Sequence, residues 1–352
     1  MPDPIIRPMS PEQAREQVNA RQILSAYLEA RDEQRSLRGS MVWATPHGEA
    51  AYLVQSYYDS SGNRKQRSLG LRDERTEGIK AGHDKRKAAV EERVRSLSAR
   101  LKDRAGVNRA LGLGRVPMPA AKVIRRIERA GLLGKGLRVL GTNAIHAYEA
   151  AAGAYLDDGL MATGDVDVLM DSRRRLQIAM DEGFDPHNLM EIIRKADRSY
   201  TRSKEPYRAI NKVGYMVDLI RPLRDPPWVE HAASVTGDTN DLQASEIHGL
   251  VWHENARPFE ATVIDTDGVP LRIVTSDPRD FAVHKLWLSN NDARDPVKRD
   301  RDRRQASAVA KLVIERLPHL GFDPDGFRNF PREIVENALS LFDATDGTGL
   351  DL

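Results

Sequence analysis

The chain has 352 residues, 40% hydrophobic and 30% charged, with no cysteine and a formal net charge of +2. That length supports more than one hydrophobic core. The absence of cysteine excludes disulfides, thiolate metal sites and cysteine nucleophiles. No run reaches the ~20 apolar residues of a membrane helix, and Met1 to Ser10 has no apolar core of signal-peptide type, so a cytoplasmic protein is expected.

In chain order, Ser10-Pro11-Glu12-Gln13 reads as a capping box with proline at the first helical position, which predicts a helix to about Leu37. Strands are predicted at Met41 to Ala44, Ala51 to Tyr58 and Gln66 to Leu71, with turns at Pro46-His47-Gly48 and Asp59 to Asn63. A long charged helix follows, about Asp84 to Arg104, with one apolar seam of Val90, Val94, Leu97 and Leu101. Between Ser61 and Leu140 there are 22 Lys and Arg against 8 Asp and Glu, so the rest of the chain is acidic. Such a block attracts a polyanion such as RNA, DNA or a nucleotide phosphate; a solvated helical face or docking on an acidic domain reads equally well from composition.

A helix from about Ala120 to Ala130 leads through the glycine-punctuated loop Gly131 to Gly136 into short strands alternating with helices, as far as about Val274. Beyond Asp277 the pattern is helical, with Asp277-Pro278, Asp295-Pro296 and Pro331 at helix starts. The expected organisation is a basic α+β unit over 1–115, a central domain over 116–275, a helical domain over 276–345 and a frayed tail over 346–352.

The chemistry concentrates in the central domain. Leu137 to Leu140 reads as a strand ending in Gly141-Thr142-Asn143 at the start of a helix. Glycine lets an anion approach the backbone, and a hydroxyl with free amides at a helix N-terminus suits phosphate. Taken alone, the same residues make an ordinary strand-to-helix turn. Asp165 and Asp167 lie two apart in Asp165-Val166-Asp167-Val168, so a strand projects both carboxylates to one face and buries both valines on the other. Their repulsion would be relieved by a divalent cation such as Mg²⁺; solvent-exposed aspartates at a strand end are the alternative. Asp218 is a single acid inside the apolar run Gly214 to Ile220, with Tyr207 to Lys212 as its hairpin partner, and a lone buried acid is costly unless paired or metal-bound. Placed beside Asp165, it completes a three-carboxylate set of the kind used in two-metal phosphoryl transfer.

Gly141-Thr142, Asp165-x-Asp167 and Asp218 together resemble the DNA polymerase beta-like nucleotidyltransferase superfamily, over about Leu137 to Leu223. Thr142 departs from the commoner serine. The stretch from Gly141 to Asp165 is longer than in minimal members, which implies an inserted loop at Gly153 to Thr163. Val139 to Glu149, Asp165 to Asp167 and Asp277 to Trp287 are further similar to a bacterial group of nucleotidyltransferase-like proteins. The resemblance implies an α+β fold with a mixed sheet flanked by helices. It also implies Mg²⁺ or Mn²⁺ held by Asp165, Asp167 and Asp218, and phosphates cradled by Gly141, Thr142 and Asn143. By the same resemblance, a lysine on the helix after the catalytic domain touches the triphosphate and a Lys/Arg-Asp pair follows on the next helix. Lys285, with neighbouring His284, fits the first place, and Lys298, Arg299 and Asp300 fit the second. Without it, Lys285 is a solvated lysine off the stripe of Ala282, Val283, Leu286 and Trp287, and Lys298 to Arg304 is a charged helix face.

Among the other histidines, His146 lies near the site on its helix, and His187, His231, His248 and His253 show no zinc-type spacing. Trp228, Trp252, Phe259 and Trp287 read as core rather than as a base-stacking platform. The expected activity is metal-dependent transfer of a nucleoside monophosphate from an NTP such as ATP to an acceptor hydroxyl on RNA or protein, with the basic segment 61–140 recruiting the acceptor. In this reading Asp218 also helps to take the acceptor's proton. The alternatives are a transferase acting on a small-molecule hydroxyl and a non-catalytic nucleic-acid-binding protein on a degenerate scaffold.

Overall fold

The structure is a computed structural model that describes residues 4–45, 48, 50–58, 64–173, 187–224 and 232–343. The predicted turn residues at 46–47 and 59–63, Trp228, His231 and the tail 346–352 lie outside the described residues.

The first helix spans Pro11–Ser36, and the Ser10 hydroxyl and Gln13 side chain form the reciprocal cap that the sequence predicts. Strands Ser40–Ala44, Tyr52–Tyr58 and Arg64–Leu71 make a three-stranded antiparallel sheet. The next helix, Glu74–Ala110, starts ten residues before the expected point. Asp73 caps it, its carboxylate accepting a hydrogen bond from the Thr76 amide at 2.7 Å, and the Thr76 hydroxyl in turn accepts one from the Asp73 amide. The apolar seam is as expected: Leu97 and Leu101 are buried against Ile23 and Leu24 of the first helix, with Val94 beside them. These two helices form an antiparallel-type pair held mainly by this stripe.

The central sheet is mixed. Leu137–Leu140 pairs antiparallel with Asp165–Met170, which pairs parallel with Met216–Pro222. On the far edge of the latter, Arg208–Ile210 pairs antiparallel and Ser245–Ile247 parallel. Helices Met118–Arg129 and Leu189–Ala196 cover one face, where Val166, Val168, Val217 and Leu219 are buried with Ile124, Ile127 and Ile193. The stretch between Gly153 and Thr163 is structured: Ala154–Tyr155 pairs with Arg7–Pro8, and a single helical turn follows at Asp158–Met161.

A β-hairpin of Pro258–Ile264 and Pro270–Ser276 packs on helix Thr142–Ala152. The predicted Asp-Pro starts both cap helices, Pro278–Ser289 and Pro296–Arg316, whose side chains pack closely together. The helix at Pro278 departs from the expected one-sided stripe. Phe281 and Ala282 enter one core with Val309 and Leu312, while Val283, Leu286 and Trp287 enter a second with Trp252 and Phe330. Elements pack against both of its sides, so His284 is buried as well. Among the described residues no helix is long and apolar enough to cross a membrane.

Candidate active site

The site begins with the alternation of Asp165–Met170. Val166 and Val168 point into the core, so Asp165 and Asp167 share the opposite face. The parallel register sets Asp218 directly across from Asp167, and the antiparallel register sets Leu140 on its other side. One carboxylate oxygen from each of Asp165, Asp167 and Asp218 lies within 4.8 Å of the others. Farther along the same face, Leu140, Leu169 and Ile220 are covered by Leu250, so the carboxylates adjoin an apolar floor. Burial, and then the charges of Asp165 and Asp218, push the Asp167 carboxyl up to about 7.

Gly141 turns the chain from strand into helix Thr142–Ala152 with φ 62° and ψ −152°. A Cβ there would fall 2.2 Å from Asp167 Oδ2, so the absent side chain is the space the carboxylate occupies. The free amides of the first helical turn therefore begin beside the acidic cluster, where a phosphate and a cation would meet. The buried Asn143 does not present its amide group outward. Its Nδ2 donates to the Asp165 carbonyl at 2.8 Å, and the Tyr215 hydroxyl donates to the same oxygen at 2.9 Å. Both fix the start of the carboxylate strand. The Thr142 hydroxyl accepts from Arg301 at 2.7 Å and from Gln305 at 3.2 Å, which ties the glycine turn to the second C-terminal helix. The Thr163 hydroxyl donates to Asp165.

Asp218 is not a lone acid. Arg208, its cross-strand partner, grips both carboxylate oxygens at 2.8 and 2.6 Å. This fork neutralises one of three crowded charges and holds its rotamer.

Lys285 is largely buried, and its Nζ donates to Asp302 Oδ1 at 2.7 Å, while Arg294 pairs with the other oxygen. Burial lowers the Lys285 pKa, and the attractions of Asp302 and then Asp167 oppose that shift. Lys285 thus stands within the field of the carboxylate cluster, anchored from behind. Replacing Asp302 with asparagine leaves two cations without their counter-charge and is expected to cost about 3 kcal/mol of stability. Urea denaturation measures this, and a loss below about 0.5 kcal/mol would show that the pair contributes little.

His284 lies in the core. Its Nδ1 is 2.8 Å from His253 Nε2, His253 Nδ1 is 2.8 Å from Ser276 Oγ, and the His284 ring stacks on Trp287. Burial pushes His253 down to about 3 and lowers His284 also, so both rings are neutral. Lys298, Arg299 and Asp300 occupy the outer face of their helix, where Arg299 pairs with Asp292 and Asp300 with Arg304. The Arg-Asp pair turned toward the site is Arg301-Asp302, two residues farther on. Counting back four from the buried Gln305 and Ala306 reaches Arg301 and Asp302, so helical phase carries the signal that the acidic-basic run hides. His146 is buried at 3.6 Å from Glu149, which Arg115 pairs at 2.9 Å, on the inner side of its helix. Trp252 and Trp287 meet edge to face at 4.9 Å with Phe330 beside them, in a core cluster as expected.

A family model described as a nucleotidyltransferase matches residues 119–325. The chain belongs to this nucleotidyltransferase family. The match opens with the helix that backs the sheet and runs through both C-terminal helices, so it takes in the carboxylates, Lys285 and Arg301 together. The α+β fold with its mixed sheet agrees with that family. No curated protein and no solved structure matches the chain.

Proposed function

We propose that the protein is an active metal-dependent nucleotidyltransferase that moves a nucleoside monophosphate from an NTP to an acceptor hydroxyl on a macromolecule. The observation that carries this reading is the convergence of Asp165, Asp167 and Asp218 within 4.8 Å beside a glycine turn that a methyl group would close. A degenerate scaffold has no reason to keep such a costly cluster. The donors are all carboxylate oxygens, which suit a hard cation such as Mg²⁺ or Mn²⁺. Divalent ions held by these three residues would neutralise triphosphate charge and polarise the α-phosphorus.

The protein's own groups do the rest. The first-turn amides after Gly141 seat phosphate oxygens, and Arg301 and Lys285 add positive charge on the side of the C-terminal helices. The nucleotide thus lies between the central domain, 116–275, and the helical unit, 276–345. The acceptor oxygen attacks the α-phosphorus in line, and the new O–P bond forms as the bond to the β-phosphate breaks and pyrophosphate leaves. The hydroxyl proton is taken up at Asp218, whose carboxylate Arg208 holds in place through both oxygens.

The test is transfer of α-³²P from each NTP, with Mg²⁺ or Mn²⁺, into total cellular RNA and protein. Label in either fraction that Asp165→Ala/Asp167→Ala loses is the expected result. Label in neither fraction with any NTP would overturn the macromolecular acceptor and redirect the search to small-molecule hydroxyls.

A further inference from the structure

Behind the catalytic sheet, the two long N-terminal helices and the helix Met118–Arg129 enclose a cavity of about 430 Å³. Its floor is apolar, with Leu24, Tyr27 and Leu101, and its walls bring together eight basic side chains against two acidic ones. Much of that charge is answered internally, since Arg35 pairs with Asp32, Arg125 with the buried Asp265 and Arg272 with Glu128. Lys102 and Lys122, on opposite walls, are exposed. A second cavity of about 170 Å³ continues along the same helix pair. It shares Arg31 with the first and adds Arg38 and Lys87 against the single acid Glu91. Beyond it the long helix reaches the three-stranded sheet, whose edge strand Arg64–Leu71 carries three basic residues and no acid, with Arg64, Lys65 and Arg67 all exposed. From Lys87 to Lys102 alone the helix runs roughly 22 Å at 1.5 Å per residue.

We infer that this track binds single-stranded nucleic acid and anchors it on the side of the domain away from the carboxylates. Its length and repeated cations match a polyanion rather than a free nucleotide. Tyr27 on the cavity floor offers a stacking surface for an unpaired base, which a duplex cannot present. Helix side chains supply most of the lining, with Val269 to Arg272 of the β-hairpin on one wall. The helix Met118–Arg129 lines the cavity and packs on the valine face of the sheet, opposite Asp165, Asp167 and Asp218. The track is therefore an anchor, and a bound strand must pass around the domain to reach the site. The inference extends the RNA part of the acceptor proposed above. Binding without nucleotide or metal separates its failure from failure of the chemistry.

The experiment is fluorescence anisotropy of a labelled 20-nucleotide mixed-sequence single strand, as RNA and as DNA, with the full chain in EDTA and no NTP across a salt series. The expected result is binding of both, with Lys102→Gln/Lys122→Gln reducing the log–log salt slope by about 1.4 and affinity at ~0.1 M salt by about 10- to 30-fold. Tyr27→Ala is expected to weaken binding about 5-fold or more with an unchanged slope. Unaltered circular dichroism checks that each variant folds. Wild-type affinity and slope in the folded double lysine variant would overturn the assignment. So would tighter binding of a duplex of the same sequence, or equal competition by polyglutamate.

Discussion

Asp167→Asn is expected to abolish nucleotidyl transfer and yet make the metal-free protein more stable at pH 8. Loss of one ligand from a three-carboxylate set should lower turnover on the order of 10³-fold. The stability effect follows from the carboxyl being pushed up to about 7, against an ordinary value of 3.8. Between these two values the folded state holds a proton that the unfolded chain has lost. Metal-free stability therefore falls as pH rises from about 4 to about 7, and stays low above that. Asparagine cannot ionise, so the variant should exceed its parent at pH 8 by on the order of 4 kcal/mol, and the two should converge near pH 4. Asp280, buried and likewise at about 7, adds a decline of the same sign to both proteins, so the informative quantity is the difference between them. Urea denaturation at pH 5 and pH 8, with EDTA or Mg²⁺, measures it. Mg²⁺ should stabilise the parent more at the higher pH and the variant little. A parent equally stable at both pH values in EDTA, or a variant that gains as much from Mg²⁺, would show that the crowding of carboxylates is not the source.

How much of this was legible in the sequence depends on whether the signal is local. The period of two in Asp165 to Val168 is a local rule, and it correctly assigns both carboxylates to one face and both valines to the core. The arginine fork on Asp218 was also legible in principle. In a hairpin turning about Val213, Arg208 and Asp218 are equidistant from the turn and therefore face each other. The Lys298 to Arg304 run is different. A sequence with charges at almost every position has no visible stripe, and the inward face is decided by what packs on the helix farther along, at Gln305, Ala306 and Val309. Asp302 is buried only because Lys285 and Arg294 come from another part of the chain to meet it. His284 was misread for a related reason: its helix is covered from two sides, so a residue off the main stripe is still core. The long helix ran beyond its predicted start because a cap at Asp73 and Thr76 outweighs the exposed glycines Gly78 and Gly82 within its first turns.

Gly141→Ala is expected to destroy both activity and local stability, although it adds a single methyl group. Its backbone, at φ 62° and ψ −152°, lies in a region open almost only to glycine, which costs an alanine about 1–3 kcal/mol. The new Cβ would also stand 2.2 Å from Asp167 Oδ2, so the carboxylate must swing away or the turn must open. Either movement disturbs the set, because Asp167 sits between Leu140 and Asp218 in register. The combined loss should be about 2–4 kcal/mol in urea denaturation, with Mg²⁺-dependent stabilisation gone and transfer undetectable. Gly153→Ala is the control. Gly153 also has a positive φ, at 61°, but with ψ 36° it is in the left-handed region that costs an alanine less, and nothing lies within 4 Å of a Cβ there, so it carries part of the backbone strain without the clash. A folded Gly153→Ala variant should keep transfer and its response to Mg²⁺. If Gly141→Ala behaved like that control, the close approach of the turn to Asp167 would have no part in shaping the site. If it lost activity while the control kept it, the space left by the missing side chain would itself be an element of the site, required as strictly as the carboxylates that border it.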